Sequence, residues 1–185
     1  MKKKLIMLGL IMVIGVSTAA KTVHGVDLKE TIVQNEDSLK LNGAGVRTKY
    51  FLKLYVGSLY VTNKSGSGSE IITSQEPMSI KLDIISKMIT AEKLKEALKE
   101  GFETVEPSKL KRIEKEVEDF NGVFTEEIKL GDIYSFDAKA GVVVVSKNGK
   151  HLITIDNQEF KEALFGIWLG EKAVDKNLKS GMLGE

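Results

Sequence analysis

Residues 41–61 read LNGAGVRTKYFLKLYVGSLYV, and the way this stretch is parsed decides the fold. Gly43 and Gly45 let the backbone turn tightly or approach other groups closely. After them, Tyr50, Leu52, Leu54, Val56, Ser58 and Tyr60 fall on one face of an extended strand, and Phe51, Lys53, Tyr55, Gly57, Leu59 and Val61 on the other. Both faces are mostly apolar, so the stretch reads as a glycine turn leading into a central strand covered on both sides. Arg47 stands where turn and strand meet. A guanidinium there is either a solvated edge charge or a fixed cation directed at something.

Working outward, residues 26–33 and 38–41 are short alternating segments that predict strands, with polar QNED between them as a turn. Downstream, residues 63–70, NKSGSGSE, read as a flexible loop. The GSG within it lacks the further glycine or the Gly-Lys-Ser/Thr that a phosphate cradle needs. Pro77 opens a strand in which Met78, Ile80, Leu82 and Ile84 alternate with polar residues. Thr90 can cap a helix with Ala91, Leu94, Leu98, Phe102 and Val105 at helical spacing. Pro107 suits the first turn of a second helix, with Leu110, Ile113, Val117 and Phe120 as its buried stripe. From Asp132 to Ile155 the pattern is a three-stranded meander with turns at 137–141 and at Asn148-Gly149, a pair that tolerates positive φ at both positions. The remainder is helical: Phe160, Ala163, Leu164, Ile167 and Trp168 share a face, Gly170 stops the helix, and Asp175 can cap a short last one. Trp168, Phe160 and Ile167 read first as core and second as pocket lining. The order of elements predicts one α+β domain, with helices on one side of a largely antiparallel sheet.

The chain has 185 residues, 42% hydrophobic and 29% charged, with two prolines and no cysteine. That length and composition fit one globular domain without disulfides, thiol catalysis or thiolate metal sites. The first residues, MKKKLIMLGLIMVIGVSTAAK, place three lysines before an apolar run at 5–16 and small residues after it, the pattern of a cleaved secretory leader at 1–20. The run falls short of the roughly 20 residues a spanning helix requires. The mature domain is then 21–185, periplasmic in a Gram-negative cell, with no stable membrane span. Of 27 basic residues, removal of the three leader lysines leaves 24 against 26 acidic ones, so nucleic acid is not an expected partner.

Two histidines, His24 and His151, supply neither a metal cluster nor a Ser-His-Asp triad. No metal and no cofactor is expected. Arg47 offers five donors in a rigid fork suited to carboxylates, and nearby tyrosine hydroxyls would add neutral donors.

Residues 41–61 resemble the segment that in chalcone isomerases and their relatives holds Gly-x-Gly-x-Arg followed by a Lys-x-Tyr-x-x-Gly-x-Tyr strand. FKEALFGIWLGEKAVDKNLKSGML at 160–183 is similar to that family's closing helices. Together the two blocks span about a quarter of the chain, and the leader suggests the bacterial exported branch. The resemblance implies an open-faced β-sandwich. It also implies one of three roles: cyclisation of a chalcone with an arginine steadying the enolate, binding of a fatty acid whose carboxylate meets the arginine and a strand tyrosine, or no assigned activity. Residue by residue, Arg47 matches the family arginine, and Tyr55 takes the place of the enzymes' threonine, as in the fatty-acid binders. Ile167 stands where the enzymes carry Ser or Thr, and between Thr90 and Phe120 there is neither the tyrosine nor the asparagine the enzymes use.

No catalytic residue is therefore assigned. The expected ligand-binding residues are Arg47 and Tyr55, with Tyr60 and Ile167 as pocket lining, and the expected ligand is a fatty acid or similar amphipathic carboxylate. The alternatives are an isomerase or intramolecular lyase acting on another substrate, and a periplasmic interaction module in which Arg47 is paired internally.

Overall fold

The computed structural model describes residues 20–34 and 36–185, so the leader expected at 1–20 lies, but for Ala20, outside the described residues. Strands β1 (Ala20–Val23) and β2 (Val26–Lys29) form a small antiparallel pair. The main sheet contains β3 (Thr31–Gln34), β4 (Asp37–Lys49), β5 (Leu52–Val61), β6 (Met78–Ile84), β7 (Ile133–Lys139), β8 (Val142–Lys147) and β9 (Lys150–Asp156). All seven strands pair antiparallel, each with its neighbour in the chain, in the order β3-β4-β5-β6-β7-β8-β9. The helices are α1 (Gly68–Thr73), α2 (Ala91–Phe102), α3 (Pro107–Arg112), α4 (Glu114–Gly122), α5 (Gln158–Leu169) and α6 (Lys176–Leu183). This is the α+β architecture expected from the order of elements, and the meander and the capped closing helices fall where the patterns put them.

Hydrophobic burial explains the layering. The inward residues of β6, Met78, Ile80, Leu82 and Ile84, are each at most 1% exposed and face the apolar stripes of the helices. Phe102 of α2, Phe120 of α4 and Phe160 of α5 meet there with ring centroids 5.5–5.9 Å apart, edge to face or stacked as ring quadrupoles favour. Fully burying each such side chain contributes about 1.5–3 kcal/mol. A smaller cluster on the opposite face of the sheet joins Leu28 of β2 to Leu39, Leu41, Val56 and Tyr60.

Three local readings change. The helix predicted from Pro107 breaks at Ile113, whose φ of −110° and ψ of 14° leave the helical region, giving α3 and α4. The supposed loop at 63–70 turns helical at Gly68, behind Ser67, whose hydroxyl accepts from the Glu70 amide. Most important, the glycines of GAGV are not a turn. They lie inside β4, and the chain reverses later, at Tyr50 and Phe51, with φ of 50° and 67°.

The glycines serve the close approach that glycine also permits. A Cβ on Gly43 would sit 2.2 Å from the Gly181 carbonyl oxygen, and one on Gly45 would sit 2.9 Å from Leu178 Cα. Gly181 returns the relation, its own Cβ position lying 2.7 Å from the Ala44 carbonyl oxygen. Helix α6 therefore lies backbone against backbone on β4. Asp175 caps it, accepting from the Asn177 and Leu178 amides at 2.9 and 3.0 Å.

Candidate functional site

Two irregularities set the faces of the central hairpin. Between Leu41 and Gly43 the register of β4 against β5 slips by one, and between Arg47 and Thr48 it slips again, leaving Leu54 as an extra residue on β5. Such bulges change which side chains share a face. Because of the second slip, Leu52, Leu54 and Tyr55 all join Arg47 and Lys49 on the helical side, where strict alternation would have put Leu52 and Leu54 opposite Tyr55.

These residues form one wall of a cavity of about 330 Å³, at the lower end of the usual range for small-molecule sites. Helix α2 supplies the facing wall with Leu94, Ala97 and Leu98, and Leu82, Ile167 and Trp168 close the buried side. A Cβ on Gly101 would come within 2.8–3.0 Å of the Ile167 side chain, so a glycine there lets α2 settle onto α5 beside the cavity. Leu82, Leu98, Ile167 and Trp168 are buried, whereas Tyr50, Leu52 and Met88 are exposed. The opening is thus at the β4–β5 tip.

Arg47 and Tyr55 are direct partners across β4 and β5. Arg47 Nη1 donates to the Thr48 carbonyl at 2.9 Å and to Asp175 Oδ2 at 3.3 Å. Among the described residues, Nε and Nη2 have no partner, so most of the fork stays available. Burial works against ionisation of Asp175, but the Leu178 and Thr48 amides and Arg47 together hold its carboxyl below the usual range. Asp175 therefore stays charged and fixes the guanidinium against the N-terminal end of α6.

Tyr55 is anchored differently. Its hydroxyl accepts a hydrogen bond from Trp168 Nε1 at 3.0 Å. Burial, only partly opposed by that bond and by Arg47, pushes the phenol up to about 12. The group is neutral at physiological pH, and with the indole occupying a lone pair its own O–H is left to donate. A guanidinium fork and a phenol donor, side by side in a cavity whose lining is mostly apolar, with Lys49, Lys93, Glu96 and Glu100 as its other charged side chains, suit an anionic head on an apolar body.

Tyr60 is not in this wall. It is five residues beyond Tyr55 on an uninterrupted stretch of β5, and alternation carries it to the opposite face, against Leu41 and Val56. Ile167 does line the cavity. Two contributions were not expected from sequence: the hydrogen bond of Trp168, read first as core and second as pocket lining, to Tyr55, and the pairing of Asp175, read as a cap, with Arg47. Each residue does what was expected and also orients a polar group more than a hundred positions away.

A family model described as chalcone isomerase-like matches residues 20–184. The chain belongs to the chalcone isomerase-like family. A crystal structure of a fatty-acid binding protein from Arabidopsis thaliana superposes on it with a TM-score of 0.64 at 18% identity, covering 83% of this chain and 96% of that one. At that identity the likeness is one of fold. A search of curated protein sequences gives no match. Within this chalcone isomerase-like domain, no group of three or more acidic or histidine side chains is placed to hold a metal among the described residues, and no helix of theirs is long and apolar enough to cross a membrane.

Proposed function

We propose that this chalcone isomerase-like protein is a non-catalytic, exported binding protein for a fatty acid or similar amphipathic carboxylate. The observation that carries the reading is the pairing of Arg47 and Tyr55 at the wall of an apolar cavity. The carboxylate would take the Arg47 nitrogens that Asp175 leaves unpartnered, together with the Tyr55 O–H, in short charge-assisted bonds. The chain would lie along Leu54, Leu94 and Leu98, gaining about 0.8 kcal/mol per buried methylene. The solved Arabidopsis relative is named a fatty-acid binding protein, which supports the same reading.

The cavity offers little for the isomerase alternative. Arg47 could steady an enolate as that alternative requires, but Tyr55 stands where the enzymes carry a threonine and Ile167 supplies no hydroxyl to hold a reacting oxygen. The interaction-module alternative expected Arg47 to be neutralised internally with no cavity beside it. Arg47 is indeed paired to Asp175, but the cavity is there.

The test is native mass spectrometry of the purified protein, of Arg47→Ala and of Tyr55→Phe, before and after incubation with dodecanoic acid, each checked by thermal unfolding. The wild type should carry or take up one fatty acid. Arg47→Ala should lose it, and Tyr55→Phe should bind more weakly. No uptake by the wild type, or equal uptake by folded Arg47→Ala, would overturn the proposal.

A further inference from the structure

The β4–β5 turn departs from three other tight turns among the described residues. Tight reversals with positive φ at two successive residues occur at His24-Gly25 (46° and 81°), Ala140-Gly141 (49° and 84°) and Asn148-Gly149 (52° and 78°). Each ends in glycine, which adopts that conformation freely. Glu36, at 72° between β3 and β4, is also not glycine, but Tyr50-Phe51, at 50° and 67°, puts two aromatic residues there in succession. Bulky side chains are disfavoured in this region, and tertiary packing does not compensate, because Tyr50 is 84% and Phe51 100% exposed. Two aromatics are thus presented to solvent where glycine would fold more easily. Strain of this kind marks a place where something other than folding selected the residue.

Around the tip the chemistry is consistent. Leu52 and Met88 are the neighbouring exposed apolar side chains at the cavity mouth. Lys49 and Lys53 flank the turn on the hairpin, with Lys87 and Lys93 exposed on the α2 side. No acidic residue occurs between Asp37 and Glu70. Among the described residues, acidic groups enter the cavity lining from α2, as Glu96 and as Glu100, whose carboxylate lies 3.8 Å from Lys49 Nζ. Aromatic side chains framed by lysines are what a membrane interface accepts: rings settle at headgroup depth and ammonium groups meet anionic headgroups.

We infer that the Tyr50-Phe51 tip docks the protein on a lipid bilayer containing anionic lipid, with the cavity mouth turned to the surface. The inference rests on the ligand reading above and deepens it. An amphipathic carboxylate could then pass between bilayer and cavity without its chain crossing water.

Phe51 is outside the cavity lining, and Phe51→Gly gives the turn the residue its backbone prefers, so this variant should unfold at the same or a higher temperature. The purified full chain and Phe51→Gly are compared by flotation with vesicles of phosphatidylcholine and phosphatidylglycerol at about 70:30, and of phosphatidylcholine alone. The wild type should partition onto the mixed vesicles, and Phe51→Gly roughly tenfold less, with the difference shrinking on neutral vesicles and in high salt. Because the chain has no cysteine, an environment-sensitive fluorophore on Phe51→Cys reports the tip alone, whatever residues 1–19 contribute. It should shift blue on mixed vesicles, while the same label on Gly66→Cys should not. An unshifted label, equal flotation of both proteins, or a Phe51-dependent dimer that ignores vesicles would each overturn the inference. Vesicle-free uptake of dodecanoic acid, unchanged in Phe51→Gly, separates its failure from failure of the binding reading.

Discussion

Replacing Gly43 with alanine puts a methyl carbon where the Gly181 carbonyl oxygen lies 2.2 Å away, with Met182 oxygen and Gly184 nitrogen at 2.9 and 2.8 Å. All three are backbone atoms, so no rotamer change relieves the clash, and α6 must lift from β4 by on the order of 1 Å. A gap of that size forfeits roughly a quarter to a half of the dispersion energy of each contact it opens. The affected interface includes Leu178 and Met182, both fully buried. Overpacking alone typically costs about 1–3 kcal/mol, and with the loosened α6 contacts we expect a loss of about 3 kcal/mol. For a domain of this size that lowers the melting temperature by roughly 6–12 °C. The control is Gly66→Ala, where nothing lies within 4 Å of the added carbon and the effect should be neutral or a gain of up to about 1 kcal/mol. Thermal unfolding followed by circular dichroism reads both. A Gly43→Ala melting within about 2 °C of the wild type would refute backbone-to-backbone seating of α6.

Fatty-acid affinity should rise about fourfold per added methylene along a series of even-chain acids, then level off when the cavity is filled; isothermal titration showing no dependence on chain length would place the tail outside it. Asp175, held below its ordinary value in the folded protein, binds its proton more readily when unfolded. It therefore contributes stability above the unfolded value that is lost as pH falls through the folded one. Asp175→Asn should flatten the acid limb of denaturation midpoints measured from pH 5 to 2, and an unchanged limb would exclude this role. Lys161 acts in the same direction in a higher pH window, although here it is the charged form that folding disfavours. Its ammonium reaches the Ile72 and Ser74 carbonyls at 2.7 Å while burial lowers it to about 8 from 10.5. Between those values the unfolded chain holds the extra proton, so stability from this group should grow as pH rises through that window. Urea midpoints of Lys161→Met should lack that rise.

The meander, the apolar face of β6 and the capped helices were legible because each rests on local periodicity or on a residue with one dominant conformational use. GAGV was not, because glycine signals two things, positive φ and close approach, and only the position of α6, some 135 residues later, tells which applies. The turn was obscured for the converse reason: Tyr-Phe is poor turn chemistry, so nothing local marks 50–51 as the reversal. At the site, the closeness of Arg47 and Tyr55 follows from strand pairing, and the loss of Tyr60 from plain alternation. The contributions of Trp168 and Asp175 were hidden, since a core tryptophan and a helix cap are complete local explanations in themselves.

The order of strands in the sheet has a consequence for how the molecule assembles. Each strand of the sheet pairs with the next strand in the chain, and β3–β4, β4–β5, β7–β8 and β8–β9 need only short loop closures, whereas β6 and β7 are joined across α2, α3 and α4. Helix α6 makes the longest return, across most of the sequence, to reach β4. Asp175 and the seat for Arg47 arrive with it. The polar end of the cavity is then expected to be the last region to gain protection in pulse-labelled hydrogen exchange during refolding, and a chain stalled short of α6 would hold an ordered sheet with no place to fix a carboxylate.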